Sequence, residues 1–181
     1  MLTNEKIAAI HANAVAHGFW EPGDEPTFGE YCAFIHEEIS EAFSAWRNGE
    51  PDEYVVDGRP EGVWVELADV VIRCADWMGR INFKVNDTSM AKFTYEYTNI
   101  ANMLEDGEYE KDFAGHITNL HGVVSKAVMT YMEFDNACRL FMVLLAYIYA
   151  MADVRDIDLD AIIDRKCAYN ATRPYWHGKR M

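Results

Sequence analysis

Glu37-Glu38-x-x-Glu41 and Glu66-x-x-Asp69 are carboxylate pairs at helical spacing, each set in an otherwise apolar stretch. Side chains three residues apart share a helix face, so each pair repels itself by a few tenths of a kcal/mol even when exposed. Desolvation raises that cost unless a cation neutralises the group. Two such pairs brought together make a cage of hard oxygen ligands, the donor set that suits Mg²⁺. Taken alone, E-E-x-x-E is common on solvated acidic helices. The second pair, on a neighbouring apolar helix, is what makes a metal centre the better expectation.

A second concentration of chemistry lies near the C-terminus. Lys166-x-x-Tyr169-Asn170-x-x-Arg173 continues through Pro174-Tyr175-x-His177-Gly178 to Lys179 and Arg180. The chain otherwise carries a net charge of -14. Lys and Arg clamp phosphate oxygens, and an Asn amide reads a base or sugar edge. Cations at a helix C-terminus are routine in themselves. The helical register of Lys166, Asn170 and Arg173 is the more telling feature.

These residues must be positioned by helices, because helical periodicity dominates and strand patterns are scarce. The spacing predicts a first helix over Asn4 to His17, ending near Gly18. A second follows Pro26 and runs to Arg47, stopped by Asn48-Gly49 and Pro51. Residues Glu50 to Arg59 read as a loop, and Pro60 as the opening of a third helix that reaches about Arg80. Asn86 to Ser89 can cap a fourth helical segment, broken at Asp106-Gly107. Two long helices are expected over Glu110 to Phe134 and Asn136 to Val154. Asp158 then caps a last helix over Leu159 to Asn170.

On the second helix Ile35, Ile39, Ala42 and Trp46 form the expected core stripe, with Glu38 and Glu41 beside it. On the third, Val63, Leu67, Val70, Cys74 and Trp77 face inward, beside Glu66, Asp69, Arg73 and Asp76. Both acid pairs therefore sit at the edge of the buried face. The short connection makes the two helices antiparallel neighbours, so the four carboxylates can converge. The expected fold is all-α: a four-helix-bundle core with additional helices in one domain over residues 1–181. Its catalytic hairpin covers about 26–81, a further hairpin about 84–154, and a C-terminal nucleotide-contacting segment 158–181.

That further hairpin carries a faint repeat of the first. Ile35-His36-Glu37-Glu38-Ile39-Ser40-Glu41-Ala42 aligns with Leu120-His121-Gly122-Val123-Val124-Ser125-Lys126-Ala127. Arg80-Ile81-Asn82-Phe83 aligns with Asp156-Ile157-Asp158-Leu159. In this alignment the second copy has lost its acids: Val123 stands for Glu38, Lys126 for Glu41, Met142 for Glu66 and Leu145 for Asp69.

Composition narrows the partners. With 181 residues, half of them hydrophobic, the chain can bury one full core. Its acidity argues against nucleic acid and anionic membrane as partners. The four cysteines are scattered with no C-x-x-C, which favours reduced thiols and a cytoplasmic protein. The start of the chain lacks the pattern of a signal peptide. The apolar run Leu140 to Ala152 is too short for a bilayer and reads as a buried helix.

E-E-x-x-E, E-x-x-D and a late K-x-x-x-N-x-x-R together resemble the MazG-like nucleotide pyrophosphohydrolases of the all-α nucleotide pyrophosphatase superfamily. The likeness extends to Gly18-Phe19-Trp20, to the run from Pro60 to Arg73 and to the run from Arg173 to Lys179, covering about residues 4–83 and 155–181. The resemblance implies Mg²⁺-dependent hydrolysis of a nucleoside triphosphate to its monophosphate and pyrophosphate, with Mn²⁺ as a substitute cation. It makes Glu38, Glu41, Glu66 and Asp69 the metal ligands, with Glu37 an accessory acid that binds a further metal or orients water. Lys166 and Arg173 then hold phosphates, Asn170 contacts the nucleotide, and Lys179 lies in the same binding segment. Short members of the family complete their bundle with a second subunit. Here residues 84 to about 154 can supply that half within one chain, as in the related dimeric dUTPases, and a homodimer stays open.

Two rival readings carry less. A di-iron carboxylate bundle needs E-x-x-H pairs, and the His positions are missing. A non-catalytic nucleotide-binding or interaction module has no need of an intact acidic cluster. His36 and His121 read as packing histidines. Trp20, in a loop just before the catalytic hairpin, is the aromatic to watch for substrate stacking.

Overall fold

The computed structural model describes residues 2–105, 112–130 and 134–175, with backbone alone for 134–137. Seven helices carry the fold: α1 (Asn4–Ala16), α2 (Phe28–Arg47), α3 (Val63–Arg80), α4 (Asp87–Glu105), α5 (Phe113–Met129), α6 (Phe134–Val154) and α7 (Leu159–Asn170). The all-α expectation holds. Local chemistry sets the ends. Thr27 and Glu30 form a reciprocal capping box at the start of α2, and Asp158 accepts from the Ala161 amide at the start of α7. The expected break at Asp106-Gly107, the start at Glu110 and the run 176–181, including Lys179, lie outside the described residues.

Between α2 and α3 the structure corrects the sequence reading. Residues Tyr54–Val56 (β1) and Arg59–Glu61 (β2) form an antiparallel hairpin around Asp57-Gly58 instead of a loop. Pro60 belongs to β2, and α3 starts only at Val63. Gly62 makes that start possible. Its φ is +121°, and a Cβ there would lie 2.7 Å from the Pro51 carbonyl oxygen. Those close carbonyls do a job: Pro51 O and Asp52 O accept from the Val63 and Trp64 amides at 3.3 and 3.0 Å. The first turn of α3 has no side-chain cap, and borrowed backbone satisfies its orphan donors instead.

The helices pack as two matching sets of three. Helix α2 lies along α3 and α5 along α6; α1 packs on α3 just as α4 packs on α6; α2 meets α5 and α3 meets α6 across the middle. Thus α2, α3, α5 and α6 make the four-helix core. Burial repeats position by position: Phe28, Cys32, Ile35, Ile39 and Ala42 on α2 match Phe113, Ile117, Leu120, Val124 and Ala127 on α5, all buried. The helix ends match as well. Asn82 and Asp156 adopt left-handed φ of 54° and 56°. Phe83 N donates to Met78 O, and Ile157 N to Ala152 O, each at 2.9 Å. This motif moves the second alignment by two residues. Asn82 corresponds to Asp156, so Leu140 stands for Glu66 and Val143 for Asp69, in place of Met142 and Leu145. Nearly continuous apolar sequence on both helices left the register loose; the left-handed residue fixes it.

Equivalent histidines meet at the centre. His36 Nδ1 and His121 Nδ1 lie 2.7 Å apart with stacked rings, the self-contact a two-fold relation produces. Phe28 ties the halves from inside, 4.9 Å from Trp77 and 5.9 Å from Phe141 by ring centroids. Trp46, expected in the core, is 39% exposed. It stacks on Phe113 at the bundle edge, and Ala45 takes the inward position. Among the described residues no helix is long and apolar enough to cross a membrane.

Candidate metal centre

Helices α2 and α3 bring three carboxylates together. Glu38, Glu66 and Asp69 each offer an oxygen within 4.8 Å of the other two. The periodicity that buries Ile35, Ile39 and Ala42 rotates Glu38 to the α2–α3 seam, where it too is buried. Arg73, one turn beyond Asp69, donates from Nε and Nη2 to Glu38 Oε1, each at 3.1 Å. Lys166, 3% exposed, reaches from α7 to Asp69 Oδ2 at 2.7 Å. Glu66 is 5% exposed and forms no hydrogen bond or ion pair through its carboxylate with any described residue.

The electrostatics follow. Burial, then the Asp69 charge, pushes the Glu66 carboxyl up to about 8, against the pull of Lys166. Burial and Asp69 also push Glu38 up to about 7, against the pull of Arg73. Burial works against the charge of Lys166, yet Asp69 and Glu66 hold its ammonium above the ordinary value. The cluster therefore carries more acid than its two cations balance. Its donors are all hard oxygens, and one buried carboxylate, Glu66, has no hydrogen-bond or ion-pair partner among the described residues. A divalent cation fits this set.

The cluster forms one wall of a cavity of about 560 Å³, within the range of small-molecule sites. Its lining brings together most of the residues expected from sequence: Glu37, Glu38, Glu41, Glu66, Asp69, Lys166, Asn170 and Arg173. Glu37 and Glu41 are exposed and stand at its rim, so Glu41 is outside the close trio. Arg173 has no ion-pair partner among the described residues, and Asn170 Oδ1 is buried without a hydrogen bond.

Trp20 does not line the cavity. It is buried, stacks on Tyr31 and donates its indole N–H to both oxygens of Asp76 at 3.0 and 3.1 Å. The tyrosine hydroxyl and His11 Nδ1 also bond Asp76, at 2.9 and 2.7 Å. A buried carboxylate with these partners is satisfied, so Trp20 joins a supporting network. Its neighbour Phe19 and Phe34 of α2 supply the aromatic surface instead.

Sequence reasoning missed several lining residues. Lys6, Ala9, Ile10 and Asn13 come from α1, and Arg59 from the hairpin. Only the placement of α1 against α3 brings the first group near, and no local pattern announces it. Its spacing from Asp69 places Arg73 on the acid stripe, but no local pattern announces its bond to Glu38 of the neighbouring helix.

Among the described residues the second half holds none of this. Its equivalents of the trio are Val123, Leu140 and Val143, and Tyr147 replaces Arg73. The Tyr147 hydroxyl contacts His116 Nδ1 at 2.9 Å and accepts from the Asn119 amide at 3.0 Å. Compared with known proteins, the chain matches no family model, no curated protein and no solved structure.

Proposed function

We propose that this chain is a Mg²⁺-dependent nucleoside triphosphate pyrophosphohydrolase, converting a (d)NTP and water to the (d)NMP and pyrophosphate. The observation that carries the reading is Glu66. It is a buried carboxylate without a partner among the described residues, beside Glu38 and Asp69, in a cavity that also presents cations. The resemblance of the motifs to MazG-like enzymes supplies the reaction.

Glu38, Glu66 and Asp69 would hold the cation, with Glu41 close by at the rim. Such a cation, when bound, neutralises phosphate oxygens and makes water a better nucleophile. Lys166 and Arg173 counter the remaining phosphate charge. Asn170 offers an unused amide oxygen to a donor on the nucleotide. Phe19, Phe34, Ala9, Ile10 and Ile72 give the cavity an apolar side suited to a flat ring. Glu37, exposed at the rim, can take the proton released when water adds across the phosphoanhydride. One P–O bond forms to the water oxygen, the bridging P–O bond breaks, and pyrophosphate leaves.

The test is a panel of canonical-base and modified (d)NTPs with Mg²⁺ or Mn²⁺, with products resolved by chromatography. Monophosphate and pyrophosphate should form with at least one nucleotide and vanish in Glu38→Gln and Glu66→Gln. Nucleotide-dependent thermal shifts without turnover in any condition would instead mark a non-catalytic nucleotide-binding module. The absence of both turnover and a thermal shift would overturn the reading.

A further inference from the structure

We propose that Arg73 is a positioning residue for the metal centre: it holds one oxygen of Glu38 so that the other is presented to the cation. The inference rests on the metal centre proposed above and deepens it. Both donors that Arg73 uses, Nε and Nη2, go to Glu38 Oε1, each at 3.1 Å. No described residue donates to Oε2. A carboxylate gripped at one oxygen by a planar fork loses its rotation, and its free oxygen is pre-organised.

The fork is itself held. The Arg73 guanidinium lies over the rings of Phe19 and Phe34, 5.1 and 5.5 Å from their centroids. The Tyr31 hydroxyl donates to the Arg73 carbonyl at 2.8 Å, and that hydroxyl is fixed in turn by Asp76. Arg73 lines the cavity together with both rings, but the two donors it uses are spent on Glu38 and its guanidinium is held against the rings. That arrangement suits support of Glu38, as outer partners of metal ligands provide.

The blank half gives an internal control. Where Glu38 is replaced by Val123, Arg73 is replaced by Tyr147. Tyr147 contacts His116 and Asn119 instead. The pair is present together in one half and absent together in the other, as expected of an arginine that acts through the carboxylate.

The alternative, that Arg73 competes with the cation for Glu38, predicts the opposite sign. Mn²⁺ titration followed by electron paramagnetic resonance separates the two. The proteins are wild type, Arg73→Met, Arg73→Lys, Glu38→Gln and the Arg73→Met/Glu38→Gln double variant. Arg73→Met should weaken Mn²⁺ binding about 10- to 100-fold, the usual loss when an outer-shell partner is removed. Arg73→Lys should recover part of it. On the Glu38→Gln background Arg73→Met should add little, because its effect runs through Glu38. Melting in EDTA identifies any variant that fails to fold, and Arg73→Lys, which keeps the charge and the aromatic contact, then carries the comparison. Unchanged or tighter binding in the Arg73 variants, or fully additive losses in the double variant, would overturn the role while leaving the metal centre standing. Absence of Mn²⁺ binding in wild type would remove the metal centre and this role together.

Discussion

The half built from α1, α2 and α3 and the half built from α4, α5 and α6 share an apolar skeleton and differ in what lies at the edge of it. Ile35, Ile39 and Leu67 in one match Leu120, Val124 and Phe141 in the other, all buried. At the neighbouring positions Glu38, Glu66 and Asp69 correspond to Val123, Leu140 and Val143. The packing needed to hold a bundle together is thus separable from the chemistry it carries. The halves also differ in cover. Helix α7 packs on α3 and delivers Lys166 and Asn170, while α6 contacts chiefly α3, α4 and α5 among the described elements. One of the cluster's two cations, Lys166, therefore comes from the added helix α7, while the other, Arg73, comes from α3 itself.

The sharpest way to break the comparison is to give the first half the residue of the second. Glu66→Leu copies Leu140 into α3. The hydrolysis proposed above should fall by about 10³-fold or more, since losing a proposed metal ligand would remove several kcal/mol of transition-state stabilisation. Stability without metal should move the other way. An unpartnered buried polar group costs about 1–3 kcal/mol, and more if charged, so Glu66→Leu should melt above wild type in EDTA. Lower melting would show that Glu66 serves the fold, and the two halves would then differ in structure as well as chemistry.

A smaller effect follows from pH. Glu38 and Glu66 are pushed up to about 7 and about 8 from the ordinary carboxyl value of 4.5. A carboxyl raised on folding gives its stability below the unfolded value and loses it as pH rises through the folded one. In EDTA, stability to urea should therefore drop between about pH 5 and pH 8, by a few kcal/mol in all. Mg²⁺ should flatten the drop, because it favours the ionised acids. Glu66→Gln should remove much of the slope. A flat profile for wild type in EDTA would mean that the acids are already neutralised within the protein.

The sequence exposes the apolar skeleton better than the site. Helices α1, α2, α6 and α7 follow from periodicity and from stops such as Gly18 and Asn48-Gly49, and all three members of the acid trio could be named from spacing. What escaped was mostly non-local. Trp20 is buried because Asp76, far along the chain, accepts its N–H. Lys6 and Asn13 reach the cavity only through the packing of α1 on α3. The β1–β2 hairpin is a different case. Asp57-Gly58, with φ of 51° and 82°, is a recognisable tight-turn pair, but three-residue strands leave too short an alternation to read. Pro60 looked like a helix start because first-turn proline is common, whereas Gly62 and the Pro51 and Asp52 carbonyls set the actual one.

The smallest expected effect tests the seam where the halves meet. His36 and His121 are equivalent residues, and their Nδ1 atoms lie 2.7 Å apart. One ring must donate and the other accept, so the bond survives the first added proton and fails with the second. Burial lowers both rings below the usual histidine value, and His121 lowers His36 further by discouraging charge on it. A histidine lowered on folding gives its stability above the unfolded value, about 6.5, and loses it as pH falls through the folded one, because the unfolded chain then binds more protons. The stability lost should be of the order of one hydrogen bond, about 1 kcal/mol. It lies on the acid side, where the carboxyls Glu38 and Glu66 act in the opposite direction, so the clean measurement uses the Glu66→Gln background. There, His121→Gln should flatten the fall in urea stability below pH 6.5, and in the otherwise wild-type protein it should leave Mn²⁺ affinity unchanged. An unaltered acid limb would show that the two rings meet without coupling the halves, and a change in metal affinity would show that the seam reaches the site.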